Sequence, residues 1–365
     1  MVAKGSMIAP PSFNLHTNFS TLIPLYHSFL LDQFGVIHNG SQSLHGAVGC
    51  IQHLLQTNKK LAILSNTSSP SAVALGRLKQ YGLREDMFVG GLVSSGEECA
   101  KYVRDMYCSR SGSFTKALWF TWQESEKQSP LEFLDCCESE SGEIGIAESV
   151  SEADFILLQG SEIWRRCRDL NQQHDSRSSL IQDLNFMYNQ DFSVIDLLLE
   201  EASQRGLPMV CANPDLVVTL TGGVVGNMPG QIAQRYQQMG GSVTHFGKPN
   251  PQHFISCLRN LGISSDDEKQ VAGVAHVGDS LEHDVAGANA AGIDSIFVLG
   301  GIHAKDLGLS PTGSDGSGFV IVENDDDPNI SDRKYITKSD LILKLNQLFA
   351  DRGIQPTHVV PSLSL

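Results

Sequence analysis

Tyr26-His27-Ser28-Phe29-Leu30-Leu31-Asp32-Gln33-Phe34-Gly35 is a short apolar and aromatic run that stops on a carboxylate. Its length and composition predict a buried strand over Tyr26–Leu31 that delivers Asp32 at its end. Asn39-Gly40 follows as a tight-turn signal. Ala47, Val48, Ile51, Leu54 and Leu55 then recur at helical spacing. Leu61–Leu64 is a second short apolar run, ending at Ser65-Asn66. Leu75, Leu78 and Tyr81 mark another helix, with Gly82 placed to cap it. The rhythm is strand, helix, strand, helix, which calls for a parallel sheet.

From about Leu92 to Gly241 this rhythm is lost. Polar and acidic stretches occupy Glu138–Glu152 and Asn171–Ser179, with strands expected over Ala153–Leu158 and Leu207–Ala212. Trp119, Trp122 and Trp164 fall in this segment and are expected to fill a core of its own. The alternation then resumes. Val243–Phe246 leads into Gly247-Lys248-Pro249, and Phe254, Cys257, Leu258 and Leu261 lie on one helical face. Val271–Val277 leads into Gly278-Asp279, followed by a small-residue helix ending near Gly292 and a strand over Ser295–Leu299. Glu323–Asn329 reads as a solvated acidic loop. Leu341, Leu345, Leu348 and Phe349 mark a last amphipathic helix. The expectation is a doubly wound, mainly parallel α/β core interrupted by an inserted α/β domain.

Four polar clusters directly follow four of these strands: Asp32, Ser65-Asn66, Lys248 and Asp279. In an open α/β sheet ligands bind beyond the carboxyl ends of the strands, so four segments direct chemistry to one edge. Asp32 and Asp279 suit a hard cation such as Mg²⁺, which takes oxygen ligands and keeps several waters. The Ser65 hydroxyl and the Lys248 ammonium suit phosphate oxygens. With charge offset in this way, Asp32 is placed to attack phosphorus and form an aspartyl-phosphate that water hydrolyses.

Composition narrows the field of partners. Of the 365 residues, 41% are hydrophobic and 18% charged, which fits a globular chain with sizeable cores. The formal net charge of -15 argues against nucleic acid and anionic membranes as partners. No apolar run reaches the length of a membrane span. The first twenty residues carry a single charge, Lys4, and lack a signal-peptide pattern, so a cytoplasmic protein is expected, with organellar import left open. The 8 cysteines include no CxxC pair and are read as free thiols.

The motif set resembles that of the haloacid dehalogenase (HAD) superfamily, in order: Leu31-Asp32-Gln33-Phe34-Gly35-Val36, Ser65-Asn66-Thr67, Gly247-Lys248-Pro249, and Gly278-Asp279-Ser280 with Asp284. The insertion between the second and third motifs, with Asn213-Pro214-Asp215 late in it, is similar to the cap of the 4-nitrophenyl phosphatase and phosphoglycolate phosphatase group (class IIA). The resemblance implies an arm at 1–21, a discontinuous core at 22–91 and 243–350, a cap at 92–242 and a tail at 351–365. It implies that Asp32 is nucleophile and metal ligand, and that the Phe34 carbonyl and Asp279 complete the protein's ligands to Mg²⁺. Asp284 would support the metal's waters. Ser65 and Lys248 would bind the phosphoryl group, with Asn66 ordering the loop. Asn213 and Asp215 would help choose a small phosphorylated substrate, and caps of this group often support dimers, which leaves a homodimer open.

One position departs from the pattern. The family's phosphatases carry a second Asp two residues after the nucleophile as general acid, and here Phe34 stands there. His38, in the turn that follows, is the first candidate for a substitute acid, and His303 the second. The departure admits three readings: a phosphatase whose acid lies elsewhere or whose leaving group needs little help; a dehalogenase- or phosphonatase-type hydrolase; or a non-catalytic protein that binds a phosphorylated metabolite as sensor or scaffold.

Overall fold

The computed structural model describes residues 13–108, 115–125, 130–139, 142–167, 180–219, 225–310, 319–322 and 335–365. The expected acidic segments 171–179 and 323–329 lie outside the described residues. The chain divides into two compact units. The described residues up to His38, Gln42–Lys60 and those from Ile263 onward form one; Asn39–Ser41 and the described residues of Leu61–Gly262 form the other. This division assigns 61–91 and 243–262 to the same unit as the insert, whereas the sequence grouped them with the core.

The first unit is built on parallel strands in the spatial order Asn14–Leu15, His358–Val360, Asp294–Val298, Val274–Gly278, Ser28–Leu31. Ser28–Leu31 and Val274–Gly278 are buried at every residue, as strands covered on both faces must be. The expected strand at 271–277 begins three residues later, because Val271 ends a short helix, Glu268–Val271, capped by the Asp267 side chain. The helix Lys338–Arg352 starts where the Thr337 hydroxyl accepts the Asp340 amide and stops at Gly353, whose φ of +64° suits a left-handed cap. Leu341, Leu345 and Phe349 repeat every fourth residue and pack with Phe297, Leu299 and Val359. Each such buried side chain contributes about 1.5–3 kcal/mol.

Strands at Asn14–Leu15 and His358–Val360 were not expected from the sequence. They lie in the segments read as arm and tail, and they pair with each other. Side chains reinforce the pairing: His16 Nε2 meets His358 Nδ1 at 3.0 Å, and His358 Nε2 meets the Tyr26 hydroxyl at 2.8 Å.

In the second unit the principal sheet runs Val243–His245, Met209–Cys211, Phe155–Leu158, Lys116–Thr121, Ile163–Arg165, Ile181–Asp183. It is parallel through its first four strands and antiparallel through the last two pairings. Two apolar clusters form around it, one holding Phe120, Ile156, Trp164 and Leu199, the other Trp119, Phe133, Phe155 and Leu157. Of the tryptophans expected to form a core, Trp164 is buried in the first cluster and Trp119 in the second, while Trp122 is buried outside both, its indole N–H donating to the Ser68 hydroxyl at 2.8 Å. Lys60–Ser65, whose first residue belongs to the first unit, pairs in parallel with Leu92–Ser94. Gly82, at φ +82°, caps the helical turn before that second strand, as its position predicted. All 8 cysteines are free. Among the described residues no helix is long and apolar enough to cross a membrane.

Candidate active site

In the first unit, Ser28–Leu31 and Val274–Gly278 run side by side with Leu31 opposite Val277. Asp32 and Asp279 each follow one of these strands, and the Asp32 amide donates to the Val277 carbonyl at 2.9 Å. Parallel register therefore brings two carboxylates from distant sequence to one strand-end edge. Asp284 joins them from the helical turn Leu281–Val285. Asp32, Asp279 and Asp284 are all buried and offer oxygens that lie within 4.8 Å of one another. Like charges at that spacing repel by roughly 3 kcal/mol per pair at an effective dielectric of about 20. Such a set is stable when a cation or protons offset it, and an all-oxygen, anionic donor set fits a hard divalent cation.

Backbone amides and one histidine hold Asp279 and Asp284 in place. Asp279 Oδ2 accepts the Ile302 amide at 2.9 Å. It lies so close to Gly35 and Gly301 that a Cβ on either would come within 1.8 or 2.1 Å of it. Gly35 also has φ of +74°, so a side chain there would be strained twice over. Asp284 is gripped on both oxygens, by His276 Nε2 at 2.8 Å and by the Ser280 amide at 3.0 Å. The sequence reading missed His276, Gly301 and Ile302. A histidine inside an otherwise apolar strand and a Gly300-Gly301 pair just past another strand were the available signals.

Phe34 presents its ring to solvent, 41% exposed, with its edge against His38 at a centroid distance of 4.6 Å. His38 is buried beside Gln33, with Nε2 3.3 Å from Oε1. Burial pushes its pKa down to about 4. The ring is then neutral near pH 7, and a neutral imidazole gives up a proton far less readily than an imidazolium; that state does not suit the substitute acid expected of it. His303 lies between Glu282 at 3.3 Å and Asp306 at 3.0 Å. Burial opposes its charged form, yet the two carboxylates carry its pKa above the ordinary histidine value.

The second unit gathers the other expected residues. Ser65 ends its strand buried, and its hydroxyl accepts the Thr67 amide at 3.3 Å. Asn66 grips the backbone of Lys248 from both sides: Oδ1 accepts the Lys248 amide at 2.7 Å, and Nδ2 donates to the Lys248 carbonyl at 3.2 Å. The same Nδ2 donates to Asp215 Oδ1 at 2.7 Å. Asn213 accepts the Asp215 amide at 3.0 Å in an Asx turn, which fixes Asp215 from behind. Gly247 has φ of +106°, and a Cβ there would come within 2.4 Å of Asn66 Oδ1. Asn66 thus joins a strand end, the Gly-Lys-Pro loop and the Asn-Pro-Asp turn through one amide group.

Comparison with known proteins bears on the fold and the family. A family model described as haloacid dehalogenase-like hydrolase matches residues 29–127, and one described as HAD-hydrolase-like matches residues 245–316. No curated protein matches the chain. A haloacid dehalogenase-like hydrolase from Brucella suis aligns at TM-score 0.59 and 21% identity, covering 88% of this chain and 98% of its own. A possible sugar phosphatase of the HAD superfamily from Cytophaga hutchinsonii aligns at TM-score 0.62 and 18% identity, covering 97% and 99%. The p-nitrophenyl phosphatase of Archaeoglobus fulgidus aligns at TM-score 0.55 and 20% identity, covering 93% and 97%. At these identities the solved structures speak to fold. The chain resembles the HAD-like hydrolases, with an α/β fold of mainly parallel sheets.

Proposed function

We propose that this chain is a Mg²⁺-dependent phosphatase acting on a small phosphorylated molecule, with Asp32 as nucleophile and the insert at 92–242 as its cap. The observation that carries this reading is the buried set Asp32, Asp279 and Asp284, with oxygens within 4.8 Å of one another. Asp32, Asp279 and the Phe34 carbonyl would hold the cation, and Asp284, fixed by His276 and Ser280, would order its waters. When bound, the cation supplies positive charge against the phosphoryl oxygens.

An Asp32 carboxylate oxygen attacks phosphorus; the bond to the leaving alkoxide breaks as the oxygen–phosphorus bond forms. Water then cleaves the aspartyl-phosphate, which returns the carboxylate and releases inorganic phosphate. The reading assigns the phosphoryl oxygens to Lys248 and Ser65, on the strength of their place in the motif order and of the Asn66 clamp on the Lys248 backbone. Asn213 and Asp215 would contribute to substrate choice. With Phe34 in the acid's place and His38 neutral, the reaction relies on leaving groups that need little protonation.

The test is phosphate release from a panel of phosphorylated metabolites and p-nitrophenyl phosphate, with and without Mg²⁺. Turnover by the wild type that needs Mg²⁺ and is absent in Asp32→Asn is the expected result. No release from any substrate by the wild type would overturn it. Phe34 itself favours a second reading, in which the chain binds a phosphorylated metabolite without turning it over. Binding of the panel members without release would select that reading.

A further inference from the structure

The Gly247-Lys248 loop is fixed by a residue that no motif names. We propose that His253 is a positioning residue for Lys248. This rests on the reading of Lys248 as a phosphate-binding group.

His253 lies in the first turn of the helix Pro251–Asn260 and is 4% exposed. Its Nε2 accepts the Gly247 amide at 3.0 Å. The loop is closed by two further bonds, from the Asn250 amide to the Gly247 carbonyl at 3.0 Å and from the His253 amide to the Asn250 carbonyl at 3.2 Å. Consecutive amides, those of Gly247 and Lys248, thus end on two side chains, His253 and Asn66. Gly247 is buried at positive φ, and Asn66 and Ser95 close off the space where a side chain at 247 would go. A buried N–H so placed needs an acceptor, because leaving it unmade costs more than the bond yields.

The acceptor role fixes the state of the ring. Nε2 must keep its lone pair, so the proton sits on Nδ1 and the imidazole is neutral. Burial lowers the pKa of this histidine, while Glu98 and the Asn250 backbone pull it partly back. Phe254, Cys257 and Leu258 on the same helix are buried and apolar, and an aliphatic side chain at 253 would satisfy packing alone. An imidazole there is explained by the Gly247 amide. Without that acceptor, the freely rotating Gly247 becomes a pivot, and the Lys248 ammonium at the end of a flexible stem loses its aim.

The experiment compares His253→Gln, whose Oε1 sits the same number of bonds from Cβ as Nε2, with His253→Leu, which keeps the volume and removes the acceptor. Positioning predicts that Gln stays within about threefold of wild type in kcat/KM while Leu falls by about tenfold, the equivalent of one hydrogen bond. Packing alone predicts the reverse order, with Leu equal to or better than Gln, and that result overturns the proposal. Two readouts separate this from the phosphatase reading. Binding of inorganic phosphate in the presence of Mg²⁺, followed by calorimetry, should rank the variants in the same order. Amide exchange at Gly247 should be slow in the wild type and Gln and fast in Leu. If the wild type neither turns over nor binds phosphate, the phosphatase reading fails and the exchange ranking alone decides His253: the stated order upholds its hold on the loop, and equal exchange overturns it.

Discussion

The two units hold their polar residues in opposite ways. In the first, three buried carboxylates are brought together, with Asp279 set against Gly35, Gly301 and the Ile302 amide and Asp284 held between the Ser280 amide and His276. In the second, a neutral amide, Asn66, does the holding, and the charged groups Lys248 and Asp215 are tied through it. The first arrangement is under electrostatic tension and calls for a cation. The second is joined by hydrogen bonds through one amide, which fixes the backbone that carries the Lys248 ammonium. A carboxylate set should therefore respond to metal, and an amide hub to the loss of hydrogen bonds.

The largest test of that contrast adds chemistry to the carboxylate side. Phe34→Asp would place a proton-transferring group two residues after Asp32, and phosphatase turnover is expected to rise by about 10²–10⁴-fold. An unchanged or lower rate in a steady-state assay would mean that proton transfer does not limit this chain. Next comes the backbone that fixes the set. Gly35→Ala puts a Cβ against Asp279 and forces a side chain into positive φ. A loss of about 1–3 kcal/mol is expected in denaturant unfolding. Mg²⁺ is expected to raise the melting temperature of the wild type by mass action, and that rise should shrink in the variant. A full Mg²⁺ response in the variant would show that Asp279 is not held by that contact. An effect of similar size on stability, with none on the Mg²⁺ response, is expected at the hub. Asn66→Ala removes both grips on the Lys248 backbone and the bond to Asp215, for about 2 kcal/mol of stability. The Mg²⁺ response should survive, because Asn66 is not among the residues proposed to hold the cation. If that response disappears, the two regions are coupled and the contrast breaks.

Three strand ends were legible in the sequence because each is a short apolar run stopped by a polar residue, at Asp32, Ser65 and just past Gly278 at Asp279; Lys248, three residues beyond the Val-Thr-His strand Val243–His245, was legible only through its Gly-Lys-Pro motif. Parallel register did the rest for Asp32 and Asp279. What supports them was harder to see. Gly301 and Ile302 act through backbone atoms, which carry no side-chain signature. His276 and His253 each meet a partner that only the folded loop brings near. The strands Asn14–Leu15 and His358–Val360 are too short for periodicity to show, and Lys116–Thr121 lay in a segment whose rhythm was obscured by polar stretches.

The pairing of Asn14–Leu15 with His358–Val360 bears on how the chain is made. The Asn14 amide reaches the Thr357 carbonyl across 343 residues of sequence. Synthesis proceeds from the amino end, at about 5–20 residues per second. The strand Asn14–Leu15 therefore leaves the ribosome many seconds before its neighbour exists, and it must wait unpaired while the second unit is completed. Closing so long a loop is slow and yields nothing until it is done. The edge of this sheet is a seam that is sewn last.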